Sequence, residues 1–442
     1  MNTFTRGAVA LLSLFTLSAF ATPEKTDLVQ RFIQVDARTK ETRTTAETLG
    51  MSIEFVRSDS SWGFADAATI RELEAAGVKV LGNFDAEIAR GGHTTGGLGF
   101  PEKDARFHDY AEVRAALAKM EKENPANAKV HVIGKSLEGR DVLALQLNTD
   151  KGSLNQGKSN KPGMIYLGAH HAREHLSTEI PLMFAEYLLK NKADPKISAL
   201  LDARDVWFVP LVNPDGSEYD IATGRYQSWR KNRRPNGDGT FGVDLNRNYS
   251  YQWGTGGSSR STNSEVYMGP KPFSEPESQI VKSFVESHLN AKILLSFHTF
   301  SELILYPWGH KYAGIDNSKD KAVFETMAKT MAGWNKYKPQ QASQLYIASG
   351  DTTDWAYGEH GIFAFTFELS PSSILGGGFY PGAKAIDPTF AANLKPVLYM
   401  LELADDPYRA VKEGTPPSKS PGSMWPSAIS ARNKFEIHPL HF

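Results

Sequence analysis

The sequence predicts an α/β protein with a mixed, mostly parallel central sheet and helices on both faces, preceded by a small α+β domain. Strand-length apolar segments alternate with helix-length amphipathic segments from about residue 105 onward, which is the pattern of βαβ units. Several of these strands are apolar at almost every position, so the sheet should be buried on both sides. The preceding region, 22–90, has shorter strands and one helix.

The chain begins with the layout of a secretory signal peptide, residues 1–21. Arg6 precedes an apolar run, and the small residues Ala19 and Ala21 place the expected cleavage after Ala21. The run is short for a helix that crosses a bilayer. We therefore expect a protein without a membrane span that is secreted or periplasmic.

Residues 22–90 are predicted to form a separate α+β domain. Its strands alternate and contain many β-branched residues, and its helix is ended by Gly77. The predicted elements are strands at 31–37, 51–56 and 78–82 and a helix at 67–77. The glycine-rich segment 91–104 is predicted to be a linker and the region where activation occurs.

The main predicted domain covers residues 105–404. Its clearest elements are helices at 108–125 and 178–191 and strands at 129–136, 141–147, 163–169, 205–212, 291–300 and 362–370. Functional groups in such folds gather at the carboxyl ends of strands. Polar residues of this kind follow or end four strands: His170–His175, Asn213, His298 and Glu368. The pattern fades after residue 405, so 405–442 is expected to be an irregular tail.

The composition narrows the classes of function. The formal charge of −1 gives no reason to expect a nucleic acid or an anionic membrane as a partner. The chain has no cysteine, so a secreted form would depend on a large core or a bound metal instead of disulfides. Any zinc ligands must then be histidine or carboxylate side chains.

The six residues 170–175, HHAREH, allow two zinc interpretations that give Glu174 opposite roles. His171, Glu174 and His175 fit the H-x-x-E-H motif, in which two histidines on one helical turn bind zinc and the glutamate is the base. That interpretation needs a helix, whereas a strand leads directly into the motif.

In the second interpretation His171 and Glu174 are both ligands, and a distant residue supplies the third. His298 is the natural candidate, and Glu368 would then be the base because both end apolar strands. A cluster of histidines that only form hydrogen bonds is a further interpretation.

Eight motifs follow one another along the main domain. They are IGKSLEGR (133–140), GAHHARE (168–174), NPDG (213–216), WRKNRRP (229–235), GVDLNRN (242–248), SFHTFSELILYPWG (296–309), LYIASGDTTDW (345–355) and TFEL (366–369). Together they resemble the zinc metallocarboxypeptidases, the family of the pancreatic A and B enzymes and bacterial carboxypeptidase T. The resemblance covers roughly residues 105–402, and residues 22–90 are similar in size and pattern to the family's propeptide.

The resemblance implies an enzyme that hydrolyses the C-terminal peptide bond of peptides and proteins with a zinc-activated water. It implies one Zn²⁺ per chain, bound by His171, Glu174 and His298. Glu368 matches the general base, and Arg230 matches the residue that stabilises the oxyanion.

The same resemblance implies a substrate site. Asn246 and Arg247 match the clamp for the terminal carboxylate, and Tyr346 matches the mobile tyrosine that closes over the substrate. Arg173 matches a contact to the next subsite, and Thr353 matches the floor of the specificity pocket.

The other pocket positions are uncharged: Gly309, Leu345, Ala348 and Thr366. With Thr353 at the floor, we expect a preference for hydrophobic C-terminal residues, because an unpaired buried cation is costly. Asp351 complicates this expectation. Its carboxylate could pair with a basic substrate, or it could cap a turn.

The resemblance also implies synthesis as a zymogen, so an activating protease should cut between about Arg90 and Arg106. We expect a monomer. Two other functions remain open: a peptidase that acts on cell-wall peptides, and a zinc- or peptide-binding module without activity. The presence of Glu368, Arg230 and all three ligands argues against the inactive module.

Overall fold

The computed structural model describes residues 29–86 and 99–412. The predicted signal peptide, most of the predicted linker and the end of the predicted tail lie outside these residues. We refer to residues 29–86 as the N-terminal unit and to residues 99–412 as the main unit.

The N-terminal unit is a four-stranded antiparallel sheet with two helices on one face. The strands are β1 (Arg31–Val35), β2 (Ser52–Val56), β3 (Ser61–Ala65) and β4 (Val80–Asp85), in the order β2-β3-β1-β4. The helices are α1 (Lys40–Thr48) and α2 (Ala67–Ala75). Ile33 and Ile53 of the sheet pack with Ala46 and Leu73 of the helices in one buried cluster.

The three strands and the helix predicted in this unit are confirmed as β1, β2, β4 and α2, whereas β3 and helix α1 are not among the predicted elements. Gly63 interrupts the apolar pattern of this short strand. The structure explains the glycine, because a Cβ at this position would lie 1.9 Å from the backbone oxygen of Ser52 in β2. The close approach of β2 and β3 therefore requires a glycine at position 63. The same glycine weakens the strand pattern in the sequence.

The main unit is built on an eight-stranded mixed sheet. Its strands are β5 (Ala128–Lys135), β6 (Asp141–Leu147), β7 (Gly163–Leu167), β8 (Asp205–Val209), β9 (Ala291–Thr299), β10 (Leu303–Tyr306), β11 (Lys338–Gln341) and β12 (Phe363–Leu369). The order is β11-β10-β12-β9-β7-β8-β6-β5. The central strands β12, β9, β7 and β8 are parallel, whereas β6 and β5 at one side and the β10–β12 pair are antiparallel.

Helices cover both faces of this sheet, as predicted. They are α3 (Tyr110–Glu123), α4 (Lys151–Gln156), α5 (Leu176–Lys190), α6 (Pro195–Ala203), α7 (Pro214–Ile221), α8 (Pro276–Ser287), α9 (Ser318–Asn335), α10 (Thr352–His360), α11 (Ile386–Glu402) and α12 (Arg409–Lys412). Met164 and Tyr166 of β7 belong to the core with α3, α5, α6, α9 and α11. Ile165 and Leu167 belong to the core with α8 and α10.

Helical structure in the main unit continues past residue 404, although an irregular tail was predicted from residue 405. A turn at Leu403–Asp405 and helix α12 follow α11. Arg204 anchors this end, because its guanidinium donates to the backbone oxygen of Glu402 and lies 3.0 Å from Asp405. Across the described residues, none of the helices combines the length and the apolarity that crossing a bilayer requires.

Candidate active site

Three segments that are distant in sequence meet at one edge of the sheet. The parallel strands β9 and β12 are neighbours, and their register pairs His298 with Glu368. Strand β7 lies on the other side of β9 and leads through residues 168–175 into α5. Because the carboxyl ends of parallel strands lie at the same edge, the connection brings His171 and Glu174 to His298.

His171, Glu174 and His298 form the one group in the described part of the chain whose donor atoms could hold a metal, all within 4.8 Å of one another. Nδ1 of His171 lies 2.8 Å from Oε1 of Glu174 and 3.1 Å from Nδ1 of His298. Nδ1 of His298 lies 3.0 Å from Oε2 of Glu174. All three side chains are buried.

The hydrogen bonds on the far side of each ring indicate what this group binds. Nε2 of His171 donates to Asp244 Oδ1 at 3.0 Å, and Nε2 of His298 lies 3.1 Å from Ser296 Oγ. With the protons on Nε2, both Nδ1 atoms present lone pairs toward the carboxylate of Glu174. A cation would stabilise three acceptors that converge in a buried site, and two imidazoles with one carboxylate suit Zn²⁺.

The two glutamates of the site differ in their affinity for protons. Burial alone would raise the pKa of Glu174. The neighbouring His171 and His298 lower this pKa by more than burial raises it, so the net shift is downward. Burial raises the pKa of Glu368 to about 8, with His298 opposing the shift and Glu174 adding to it. Glu174 is therefore suited to a cation, and Glu368 is suited to proton transfer near neutral pH.

His175 does not join the metal group. Helix α5 begins only at Leu176, and His175 is the residue that precedes it. Its Nε2 lies 2.8 Å from Asp220 Oδ2. The H-x-x-E-H spacing therefore does not fall on one helical turn, and the geometry favours the interpretation in which His171 and Glu174 are ligands.

Asp244 is a central residue of the site that sequence reasoning did not identify. Its Oδ1 accepts from His171, and its Oδ2 accepts from Nε and Nη2 of Arg230 at 3.1 and 2.9 Å. Asp244 is fully buried, and the contacts with His171 and Arg230 balance its charge. Its position within GVDLNRN, directly before the predicted carboxylate clamp, is the signal that could have found it.

The predicted carboxylate clamp lies in a short 3₁₀ turn, Leu245–Arg247. Nε of Arg247 donates to the backbone oxygen of Gly257 at 3.0 Å, which fixes one edge of the guanidinium. Asn246 accepts from the backbone N–H of Thr352 at 3.0 Å. Both side chains line the same cavity as the metal group.

The N-terminal unit closes this cleft. Residues 53–56 of β2 form one wall, and the space that remains measures about 90 Å³, far less than a typical ligand pocket.

Arg173 donates to Glu54 Oε1 at 2.7 Å, and both side chains are buried. Glu47 lies 3.8 Å from Nη2 of Arg247, and burial raises the pKa of Glu47 to about 8 although Arg247 opposes this. Two predicted substrate contacts thus face acidic residues of the N-terminal unit.

Helix α1 also holds the loop that contains Tyr346. The guanidinium of Arg43 donates to the backbone oxygens of Gln344 at 3.0 Å and Leu345 at 2.5 Å. The backbone N–H of Ile347 donates to the hydroxyl of Thr44 at 2.8 Å. Tyr346 itself packs against the hydrophobic cluster of the N-terminal unit.

Asp351 both caps a helix and leaves one oxygen unpartnered. Its Oδ1 accepts from the backbone N–H groups of Thr353 and Asp354, each at 2.9 Å, and from the Thr353 hydroxyl at 2.5 Å. Its Oδ2 is buried and has no hydrogen-bond partner in the described part of the chain. Gly309 lies next to this oxygen, because a Cβ on that glycine would be 3.1 Å from it.

The chain is similar in sequence to known enzymes. Residues 113–395 match the family model described as zinc carboxypeptidase. A zinc carboxypeptidase of Saccharothrix mutabilis subsp. capreolus is 34% identical over 406 residues, which cover 88% of this chain and 91% of that protein. Carboxypeptidase B of Astacus astacus is 32% identical, over 68% of this chain and 98% of that protein.

The solved structures agree with this comparison. The crystal structure of carboxypeptidase A from Helicoverpa armigera superposes with a TM-score of 0.69 at 25% identity. The superposition covers 88% of this chain and all of that chain, so it includes most of the residues described above.

Proposed function

Because the chain belongs to the zinc carboxypeptidase family, we propose that it is a secreted enzyme that removes C-terminal residues from peptides and proteins and is made as a zymogen. The protein is a metallocarboxypeptidase with one zinc ion per chain. The observation that supports the proposed reaction most is that the His171–Glu174–His298 group, Arg230 and Glu368 line one cleft.

We assign His171, Glu174 and His298 as the zinc ligands. Asp244 and Ser296 hold the two imidazoles so that each Nδ1 lone pair is directed at the ion. When bound there, zinc lowers the pKa of a coordinated water and polarises the substrate carbonyl. The remaining groups of the cleft supply proton transfer, charge stabilisation and substrate binding.

Glu368 is proposed to take a proton from the attacking water and to deliver it to the leaving nitrogen. This role is supported by the register of Glu368 beside His298 and by the cavity that both residues line. Arg230 is proposed to stabilise the oxyanion, and Asp244 holds its guanidinium by two hydrogen bonds. A fixed donor of this kind contributes about 3–4 kcal/mol to lowering the barrier.

Substrate recognition is proposed to begin with Asn246 and Arg247, which bind the terminal carboxylate. A guanidinium can bind both carboxylate oxygens at once, and the backbone of Gly257 holds that of Arg247 in place. Tyr346 is proposed to close over the bound residue, and Arg173 to contact the next residue of the peptide. Thr353 is proposed to lie at the floor of the specificity pocket.

The zymogen proposal is supported by the position of the N-terminal unit. This unit closes the cleft, places Glu54 on Arg173 and Glu47 near Arg247, and holds the loop around Tyr346. A substrate cannot reach the clamp while these contacts persist. An activating protease is therefore proposed as a partner, and the expected secretion signal, 1–21, lies outside the described residues.

The proposed function predicts that activity depends on the metal. We expect the protein, after cleavage of its linker, to hydrolyse blocked dipeptides that have a free C-terminal carboxylate, and to lose essentially all activity when a chelator removes zinc. Amidated versions of the same dipeptides serve as controls, because they lack the carboxylate that Arg247 binds. Restoration by Zn²⁺ but not by Mg²⁺ completes the test, and activity that persists in metal-free protein would contradict the proposal.

The specificity pocket is proposed to accept both hydrophobic and basic C-terminal residues. Thr353 and the other uncharged positions suit a Phe or Leu side chain, which gains about 1.5–3 kcal/mol from full burial. The buried Oδ2 of Asp351, which accepts no hydrogen bond in the described part of the chain, offers a partner to Lys or Arg. Burial raises the pKa of Asp351 to about 7, with Asp354 adding to the shift, so the carboxylate becomes charged as the pH rises above that value.

We therefore predict that turnover of Arg-ending substrates, relative to Phe-ending ones, rises from pH 6 to pH 8. Replacement of Asp351 with Asn should keep the helix cap through its amide oxygen and remove the charge. The variant should lose about tenfold or more of kcat/KM for Arg-ending substrates and change little for Phe. Measuring both substrates with both proteins checks this, and an equal loss for the two would show that Asp351 only caps the helix.

A further inference from the structure

Asp220 is a fully buried carboxylate outside the set of proposed catalytic residues. It lies in the last turn of α7 and accepts hydrogen bonds from three different segments of the main unit. His175 Nε2 lies 2.8 Å from Oδ2, and the backbone N–H of Trp229 donates to Oδ1 at 2.7 Å. The hydroxyl of Tyr380 lies 3.0 and 3.1 Å from the two oxygens.

Two of these donors are direct neighbours of proposed site residues. Trp229 precedes Arg230, and His175 follows Glu174. The two segments are also joined directly, because the backbone N–H of Ala172 donates to the backbone oxygen of Arg230 at 3.0 Å. Asp220 therefore lies where the segment with the metal group and the segment with the oxyanion arginine meet.

The third donor extends this link to the substrate side of the cleft. Tyr380 follows Phe379, whose ring lies 4.2 Å from the guanidinium carbon of Arg173. Tyr380 is also stacked on Tyr226 with ring centroids 3.9 Å apart. One carboxylate thus sets the position of three segments, each adjacent to a different group of the cleft.

A carboxylate suits this arrangement better than an amide does. It accepts at both oxygens, whereas an amide has one acceptor oxygen and a donor NH₂ group. An asparagine at position 220 would direct its NH₂ group either at the Trp229 N–H, which would lose its partner, or at His175, whose imidazole would have to move its proton to Nδ1 in order to accept. The neighbouring segment would then shift.

We infer that Asp220 is a positioning residue that keeps Arg230 and Glu174 in register, through the backbone of Trp229 and the ring of His175. The inference rests on the proposed function, because it concerns the groups assigned to oxyanion stabilisation and zinc binding. It also explains why a histidine occupies position 175, since an aromatic hydrocarbon ring there would give Asp220 no donor.

The test is Asp220→Asn in the full chain, activated by cleavage of the linker and loaded with zinc. We expect kcat for a blocked dipeptide to fall by about 10- to 100-fold and zinc affinity, measured by competition with a chelator, to fall by about tenfold. KM should change less than kcat, because Asn246 and Arg247 do not contact Asp220 and Arg173 is linked to it only indirectly, through Phe379 and Tyr380. His175→Phe should weaken zinc affinity in the same direction while keeping the packing against Phe100.

Tyr226→Phe is the matched control. It removes a hydrogen bond to the buried Asp104 in the same region without touching Asp220, so it should lower the melting temperature and leave kcat unchanged. If Asp220→Asn likewise lowers only the melting temperature, with kcat and zinc affinity unchanged, Asp220 has no positioning role. A wild-type protein without carboxypeptidase activity would contradict the proposed function instead, and the zinc affinity of the variant would still decide the role of Asp220.

Discussion

Replacement of Glu368 with glutamine is expected to leave one zinc ion per chain and to lower kcat by about 10²- to 10⁴-fold. The change keeps the shape of a side chain that lies beside His298 in register but removes its ability to accept a proton. None of the three proposed ligands is altered, so zinc should remain bound. Metal analysis together with steady-state kinetics on a blocked dipeptide checks both parts of the expectation.

Two companion variants separate the competing interpretations of HHAREH. Glu174→Gln should weaken zinc binding, because it removes the only charge among the proposed ligands. His175→Ala should still bind one zinc ion at saturating zinc, with only a weaker affinity and a lower stability, because it leaves Asp220 without one donor. Release of the metal from His175→Ala combined with its retention in Glu174→Gln would restore the H-x-x-E-H interpretation.

The main features of the site could be predicted from the sequence because its residues lie at the ends of apolar strands. His171, His298 and Glu368 are up to nearly two hundred positions apart, yet each ends or follows a segment with a clear strand pattern. Parallel neighbouring strands necessarily bring such ends together. The recognisable motifs then assigned a role to each residue, which the periodicity alone left open.

The two aspartates that organise the site could not be predicted in the same way. Asp244 and Asp220 lie in segments without a strand or helix pattern that stands out, and their partners are far apart in sequence. A single aspartate in a polar stretch most often faces solvent. Only the tertiary structure shows that these two carboxylates are fully buried and accept from His171 and His175.

Asp351 illustrates a different limit of sequence reasoning. The sequence leaves two alternatives open for this residue, a cap on a turn and a charge in the pocket. The structure gives the two oxygens different surroundings, so Oδ1 caps α10 while Oδ2 faces the bare position of Gly309. The rotamer of a side chain determines which of its atoms makes which contact, and a residue pattern does not predict the rotamer.

The second large effect concerns the N-terminal unit. Full-length protein that lacks only residues 1–21 should be nearly inactive, and cleavage of the linker should raise its activity by at least about 10²-fold, because the unit leaves only about 90 Å³ of the cleft free. We expect the cut to fall before Phe100. Phe100 packs on His175, and Asp104 accepts from Tyr226 at 2.7 Å, so this segment belongs to the main unit.

The contact between Glu54 and Arg173 gives a sharper test of the same prediction, because it crosses between the two units. Breaking a buried ion pair by removing one partner costs about 3–5 kcal/mol. Glu54→Gln should therefore weaken the binding of the N-terminal unit to the main unit. The uncleaved variant should therefore show measurable activity. Glu74→Gln is the matched control, because it makes the same change at an exposed position of the same unit. If uncleaved wild-type protein is as active as cleaved protein, or if both variants behave alike, the N-terminal unit does not inhibit by covering the cleft.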